Sequence, residues 1–365
     1  MEDLPIPARV RLVVLFGGRS AEHEVSCESA ASVLGAVDRA RYDVVPVGIT
    51  PEGGWVLDQA TATALAGAGA GGPGALPAAL SAHAPELEPL ATVTPADGLP
   101  LVVLPLLHGP HGEDGTVQGL LELAGVPFVG AGVLGSALCM DKAKAKEVLA
   151  QHGLPQVRFI ARRDHDVDQS LAKEVGAELG WPAFVKPANL GSSVGITKVD
   201  DEAGLAAAVE LALGYDEWVV IEEGVDAREI ECGVLGNAEL EASVPGEIVP
   251  SREFYDYDDK YRTGAARMVV PADLPDAVTE ECRLLAVAAA RALRAEGMAR
   301  VDFLYEGGRG LLVNEVNTIP GFTPHSMFPL LWQATGLAYP DLIDRLVALA
   351  LERHRHRADR IGRRR

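Results

Sequence analysis

The sequence predicts a multi-domain α/β protein: an open, Rossmann-like α/β unit followed by two smaller α+β units. Three observations lead there. An apolar strand-type run near the amino terminus closes on paired glycines, 365 residues exceed one ordinary core, and a hairpin of charged residues stands near the far end.

The first unit spans residues 1–139. Residues 10–16 are apolar in the manner of a buried strand and stop at Gly17-Gly18. An amphipathic helix is expected from Ser20 toward Val37, and Tyr42–Ile49 reads as a second strand. Residues 60–99 are rich in Ala, Gly and Pro and read as a surface insertion. A strand follows over 101–107, closed by the loop HGPHGEDG (108–115), then a helix over Thr116–Ala124 and a short strand over 126–129.

The second unit, 140–229, opens with a helix over 140–151. Strands are expected at 184–187, 195–199 and 218–222, with a helix over 203–213 between them. The third, 230–352, contains a loop at 250–265, the hairpin and a closing helix over 340–351. Residues 353–365 form a basic tail expected to be solvated and disordered. No internal repeat is visible.

The net charge of −20 is reached although the tail alone holds seven arginines, so the body is more acidic still, which argues against a nucleic-acid partner. Four scattered cysteines, Cys27, Cys139, Cys232 and Cys282, fit a reducing compartment. The first residues, MEDLPIPARV, lack the basic character of a signal peptide, and no apolar run is long enough to span a bilayer, so a cytoplasmic protein with no membrane partner is expected.

The hairpin carries the most chemistry. Two β-prone runs flank Gly307, Gly308, Arg309 and Gly310. A four-residue loop with Glu306 paired to Leu311 places Asp302 opposite Glu315 and Arg300 opposite Asn317, all on one face. Opposed carboxylates repel, so the pair asks for a shared proton or, more simply, a hard cation. Mg²⁺ suits one or two carboxylates plus substrate phosphates, with Asn317 adding an amide oxygen. Taken alone, the spacing also fits a solvated acidic hairpin.

The loop KPANLGSSVG (186–195) lies between two strands, where backbone N–H groups and hydroxyls can close over phosphates beside Lys186. It lacks the Walker spacing and leads into a strand, as a covering flap would. The His108/His111 pair lacks a third ligand for zinc. Residues 254–261, FYDYDDKY, alternate aromatics and acids without a clean period, which suits a lid.

Five segments, FGGRSAEHEVS (16–26), HGPHGEDG (108–115), KPANLGSSVG (186–195), FYDYDDKY (254–261) and the hairpin through Ser326, together resemble the D-alanine–D-alanine ligases of the ATP-grasp superfamily, over residues 10 to about 350. The resemblance implies an ATP-grasp fold with ATP between the second and third units. Lys142 and Lys186 would meet its phosphates, Glu222 and Glu229 would lie near adenine and ribose, Ser193 and Glu223 would also bind ATP, and Lys260 would reach the γ-phosphate. Asp302, Glu315 and Asn317 would hold two Mg²⁺, with Mn²⁺ as a substitute and a monovalent cation as an additional activator.

The resemblance further implies that Glu22 anchors the ammonium of the first D-alanine with His108 nearby. Tyr261 would hydrogen-bond with Ser192 and Glu22, Arg300 and the backbone N–H near Gly321 would stabilise the tetrahedral intermediate, and Ser326 would hold the second substrate's carboxylate. The implied reaction makes D-alanyl-D-alanine through an acyl phosphate, for peptidoglycan precursor synthesis. Tyr261 in an intact lid motif favours an amine acceptor, and the alternative within the family is a D-alanine–D-lactate or D-alanine–D-serine ligase. A homodimer formed through the first unit and inhibition by D-cycloserine are also implied. From other classes, a nicotinamide oxidoreductase lacks its GxGxxG turn, and a non-catalytic regulator sits poorly with the full set of matched polar residues.

Overall fold

Strand β1 (Val10–Gly17) is buried along nearly its whole length, as a central strand of a parallel sheet must be. In this computed structural model, which describes residues 6–57, 87–93, 98–250 and 266–362, β1 lies between two parallel neighbours, β2 (Tyr42–Ile49) and β4 (Leu101–Pro105). The antiparallel edge is β3 (Trp55–Leu57). Helices α1 (His23–Ala36), α2 (Pro89–Thr92), α3 (Thr116–Ala124) and α4 (Val133–Met140) complete this part. The strand expected at 126–129 is reduced to one parallel bridge, Val103 to Phe128.

The helix expected over 140–151 is present from residue 142, and a separate helix, α4, precedes it where none was expected. Asp141 is extended between α4 and α5 (Lys142–Gln151), and its carboxylate accepts the Lys144 N–H at 2.9 Å. This N-cap starts α5 at Lys142. The second sheet has the antiparallel order β5 (Phe159–Arg163), β8 (Trp218–Glu223), β6 (Ala183–Pro187), β7 (Thr197–Val199). Its core is closed by α6 (Leu171–Glu178) and α7 (Glu202–Leu213). Neither β5 nor α6 was expected: β5 reads FIARR with a single buried residue, and α6 is eight residues long, so each carries too little periodicity to stand out.

The third sheet runs β11 (Arg267–Val269), β10 (Leu240–Val249), β9 (Arg228–Gly236), β12 (Gly297–Glu306), β13 (Gly310–Asn317), all antiparallel. Helix α8 (Asp276–Ala292) packs on it with α5, and α9 (Met327–Thr335) leads to α10 (Tyr339–Gly362). One apolar core joins β1, β4 and α1 to Phe322, Phe328, Trp332 and the α10 residues Leu342, Leu346 and Val347. The first sheet and the last helices are thereby held together.

Two expectations need correction here. Strand β13 begins at Gly310, which pairs with Glu306, so the loop is Gly307-Gly308-Arg309 and not four residues. A bulge between Phe303 and Asp302 then takes up Asn314 and restores the expected facing of Asp302 with Glu315 and Arg300 with Asn317. The predicted opposition thus holds with a different loop. The basic tail is also not disordered through residue 362. Helix α10 continues there, and buried Arg353 donates to the carbonyls of Gly130 and Phe128 (2.7 Å to the latter) with its guanidinium 4.6 Å from the Phe128 ring. Arg357 pairs with Glu122 at 2.8 Å. An arginine whose chain end meets two carbonyls no longer behaves as a solvated charge.

Candidate active site

Two cavities, of about 290 and 190 Å³, share a wall that includes Lys142, Gly191, Ser192, Glu231, Arg300 and Glu315. Glu22, His108, Gly321 and Ser326 line the larger, while Lys186, Ser193, Glu222, Glu223, Glu229 and Asp302 line the smaller. Asn317 lies on the larger side. Every expected site residue within the described part of the chain therefore borders one of two adjoining spaces. Lys260 and Tyr261 fall outside the described residues.

The smaller cavity is prepared for negative charge. Lys186, on β6, and Lys146, one turn beyond Lys142 on α5, both reach the buried carboxylate of Glu222, at 2.6 and 2.9 Å. Burial by itself would raise the Glu222 carboxyl, but the two lysines override it and pull it down to about 2. The carboxylate of Glu223 is taken by Arg158 (2.6 Å) and Arg309 (2.7 Å). The side chains of Glu222 and Glu223 are thus committed to basic partners. Lys146 was not singled out from the sequence, where KAKAKE looks like a solvated face; its i,i+4 relation to Lys142 was the available signal.

The loop between β6 and β7 crosses the boundary of the two cavities. Ser192 and Ser193 have φ of 52° and 58°, a left-handed pair without glycine, which turns successive N–H groups to one side. The Lys142 ammonium donates to the Leu190 carbonyl at 2.7 Å and stands 3.6 Å from Glu315. Ser192 Oγ donates to the carboxylate of Glu22, which joins this loop to the loop after β1. Space around Glu22 is tight: a Cβ on Gly109 or Gly191 would lie 3.2 or 3.3 Å from its Oε2, and Gly109 has φ +70° besides.

The larger cavity is organised by backbone contacts. His108 Nδ1 meets the Ile319 carbonyl at 2.9 Å, and burial lowers the imidazole's pKa against the opposing pull of Glu22, so Nδ1 is the protonated donor. Its Nε2 has no partner among the described residues. Glu113, not singled out from the sequence, accepts the Gly109 N–H at 2.7 Å and the Ile319 N–H at 3.2 Å. Burial, and then the charge of Glu22, push its carboxyl up to about 8. Ser326 Oγ accepts the Thr323 N–H at 3.0 Å, and a Cβ on Gly321 would come within 3.2 Å of that hydroxyl. Gly321 and Ser326 are therefore neighbours.

On the hairpin the opposed carboxylates already have cations. Arg300 grips Asp302 through Nε and Nη2, each at 2.7 Å, and Nε also stands 2.9 Å from buried Glu231. Burial opposes that charge, but Asp302 and Glu231 hold the guanidinium well above its usual range. Asn317 donates its amide to Asp302 at 2.8 Å. No cluster of three or more His, Cys, Asp or Glu side chains suited to a metal occurs among the described residues. The donor set is two carboxylates and an amide, all oxygen, which fits a hard cation that completes its shell with water and phosphate oxygens. It does not fit zinc.

Residues 11–131 match the family model described as D-ala D-ala ligase N-terminus, and residues 148–348 match D-ala D-ala ligase C-terminus. The chain belongs to the D-alanine–D-alanine ligase family. A D-alanine–D-alanine ligase of Thermoanaerobacter sp. (strain X514) is 49% identical over 353 residues, covering 94% of this chain and 97% of the relative. The structure of the D-alanine–D-alanine ligase from Coxiella burnetii superposes with a TM-score of 0.82 at 34% identity, covering 98% of each chain. VanG, a D-Ala:D-Ser ligase from Enterococcus faecalis, gives 0.80 at 33% identity, covering 94% of this chain and 99% of that one. This is a ligase of the ATP-grasp fold, for which ATP is the expected nucleotide. No helix among the described residues is long and apolar enough to cross a membrane.

Proposed function

We propose that this chain joins two D-alanines into D-alanyl-D-alanine while converting ATP to ADP and phosphate, as a cytoplasmic step in peptidoglycan precursor synthesis. The observation that carries the reading is the shared wall of the two cavities, where Arg300, Lys142 and the Ser192 loop can act on a group passed from a nucleotide on one side to a small substrate on the other.

ATP occupies the smaller cavity, with Lys142 and Lys186 on its phosphates, Ser193 in the covering loop and Glu229 toward the ribose. Asp302, Glu315 and Asn317 would hold Mg²⁺ or Mn²⁺, which supplies charge neutralisation of the phosphates. Glu22, held by Ser192, receives the first D-alanine's ammonium, and the neutral His108 imidazole lies beside it. The carboxylate oxygen of that D-alanine attacks the γ-phosphorus, the bond to ADP breaks, and an acyl phosphate results.

The second D-alanine, its carboxylate at Ser326, attacks the acyl carbon through its amine. The new C–N bond forms, the amine gives up a proton, and phosphate leaves. Arg300 and the backbone N–H at Gly321 meet the oxyanion formed between these events. Homodimer assembly through the first unit, activation by a monovalent cation and competitive inhibition by D-cycloserine belong to the same reading.

The Enterococcus neighbour makes D-serine the first alternative acceptor to test, followed by D-lactate. ADP release measured with a panel of D- and L-amino acids and D-lactate decides. D-Alanine is expected to be the best acceptor at neutral pH; greater activity with D-serine or D-lactate would overturn that choice, and no D-alanine-dependent release would overturn the activity itself.

A further inference from the structure

Strands β9, β12 and β13 place three acids on a single cross-strand row: Glu231 faces Asp302, and Asp302 faces Glu315. Two carboxylates and Asn317 suffice for the cation site, so the third acid adds like charge to a row that already repels. Glu231 is buried, 6% exposed, where an acid without a counterpart would be costly. Its counterpart is Arg300, whose Nε stands 2.9 Å from Glu231 and 2.7 Å from Asp302.

That geometry poses a competition. Arg300 holds both oxygens of Asp302, the carboxylate that a divalent cation would need. If Arg300 gave up Asp302 with no other anion beside it, a buried guanidinium would be left unpaired, and breaking a buried pair in that way is strongly unfavourable. With Glu231 already at Nε, the guanidinium can release Asp302 and remain paired. We propose that Glu231 is a positioning residue that draws Arg300 off Asp302, freeing that carboxylate for the divalent cation while keeping the guanidinium in the wall between the two cavities. The inference rests on the metal reading given above and extends it to Glu231, which lines both cavities and to which that reading gives no role.

Binding of Mn²⁺ in the presence of ADP, followed by loss of the free-ion electron paramagnetic resonance signal, tests this without turnover. Glu231→Gln is expected to weaken Mn²⁺ about tenfold, the scale on which residues supporting a metal ligand act. Adding Arg300→Met to Glu231→Gln is expected to restore native affinity or better, because the competitor is gone. Unchanged affinity in Glu231→Gln, or a loss that persists in the double variant, overturns the proposal; a general structural defect would give the second result. Should Glu231→Gln not fold, Arg300→Met alone tests the competition: it is expected to bind Mn²⁺ at least as tightly as the native chain, and weaker binding overturns the idea. A native chain that takes up no Mn²⁺ beside ADP removes the metal reading and Glu231's role with it, a result distinct from native binding that ignores Glu231.

Discussion

Glu222 and Glu113 are buried or largely enclosed glutamates in adjoining cavities, and they are driven in opposite directions. Glu222, between Lys146 and Lys186, is pulled down to about 2 although burial acts the other way. Glu113 is pushed up to about 8 by burial and by Glu22, because its partners are the Gly109 and Ile319 N–H groups, too weak as donors to offset both. The difference separates two designs. The smaller cavity, proposed for the nucleotide, is held by full charges in pairs. In the larger cavity, proposed for the substrate, Glu113 is held by neutral backbone contacts.

The largest effect expected from breaking this contrast is at the charged wall. Glu315→Gln should lower kcat by more than the roughly hundredfold typical when a metal ligand merely loses its supporting partner, with an unchanged circular dichroism spectrum. Near-native kcat at saturating Mg²⁺ would sink the assignment.

Next comes Glu222→Ala, which leaves Lys146 and Lys186 buried without their anion and should cost about 3–5 kcal/mol of stability, read as a fall in the denaturant midpoint. A loss under about 1 kcal/mol would mean that the pair is not the support inferred here.

A smaller, pH-dependent effect distinguishes the two acids. Glu113 is raised from 4.5 to about 8 in the folded chain, so its contribution to stability is fully present below 4.5 and is lost as pH rises through 8. Glu222 works in reverse: its contribution is present above 4.5 and is lost as pH falls toward 2. Glu113→Gln should therefore gain stability relative to the native chain between pH 4.5 and 8. Parallel stability curves for the two proteins across that window would contradict the shift.

The smallest effect belongs to Arg309, whose half-exposed ion pairs with Glu223 and Glu306 sit on the hairpin turn. Arg309→Ala should change stability by less than about 1 kcal/mol and leave kcat alone. A large loss of activity would show that the turn matters to the nucleotide side more than its pairing suggests.

How much of this was legible depended on distance along the chain. Helix Thr116–Ala124 and strand Tyr42–Ile49 appear with the boundaries expected, since their apolar periods are complete within each segment. The facing of Asp302 with Glu315 was legible from counting, although a shorter loop and a bulge at Asn314 produce it. A bulge has no compositional mark, so the two departures cancelled without leaving a trace in the sequence. Arg353 looked like part of a solvated basic tail because nothing local announces the Phe128 and Gly130 carbonyls that receive it, more than two hundred residues away.

The sequence by itself determined the α/β class, the hairpin with its facing carboxylates and the Gly/Ser loop, because each is written in residues that are neighbours or lie within one hairpin, and local spacing reports on short-range geometry. Only the tertiary structure decided that Glu222 is shared by two lysines, that Glu113 and His108 both hold Ile319, and that Glu231 stands beside Arg300. Glutamate and lysine are ordinarily surface residues and histidine is intermediate, and their sequence pattern is the same whether they meet water or each other. What distinguishes them here is burial and a partner brought from another part of the fold, and these exist only once the three sheets are packed.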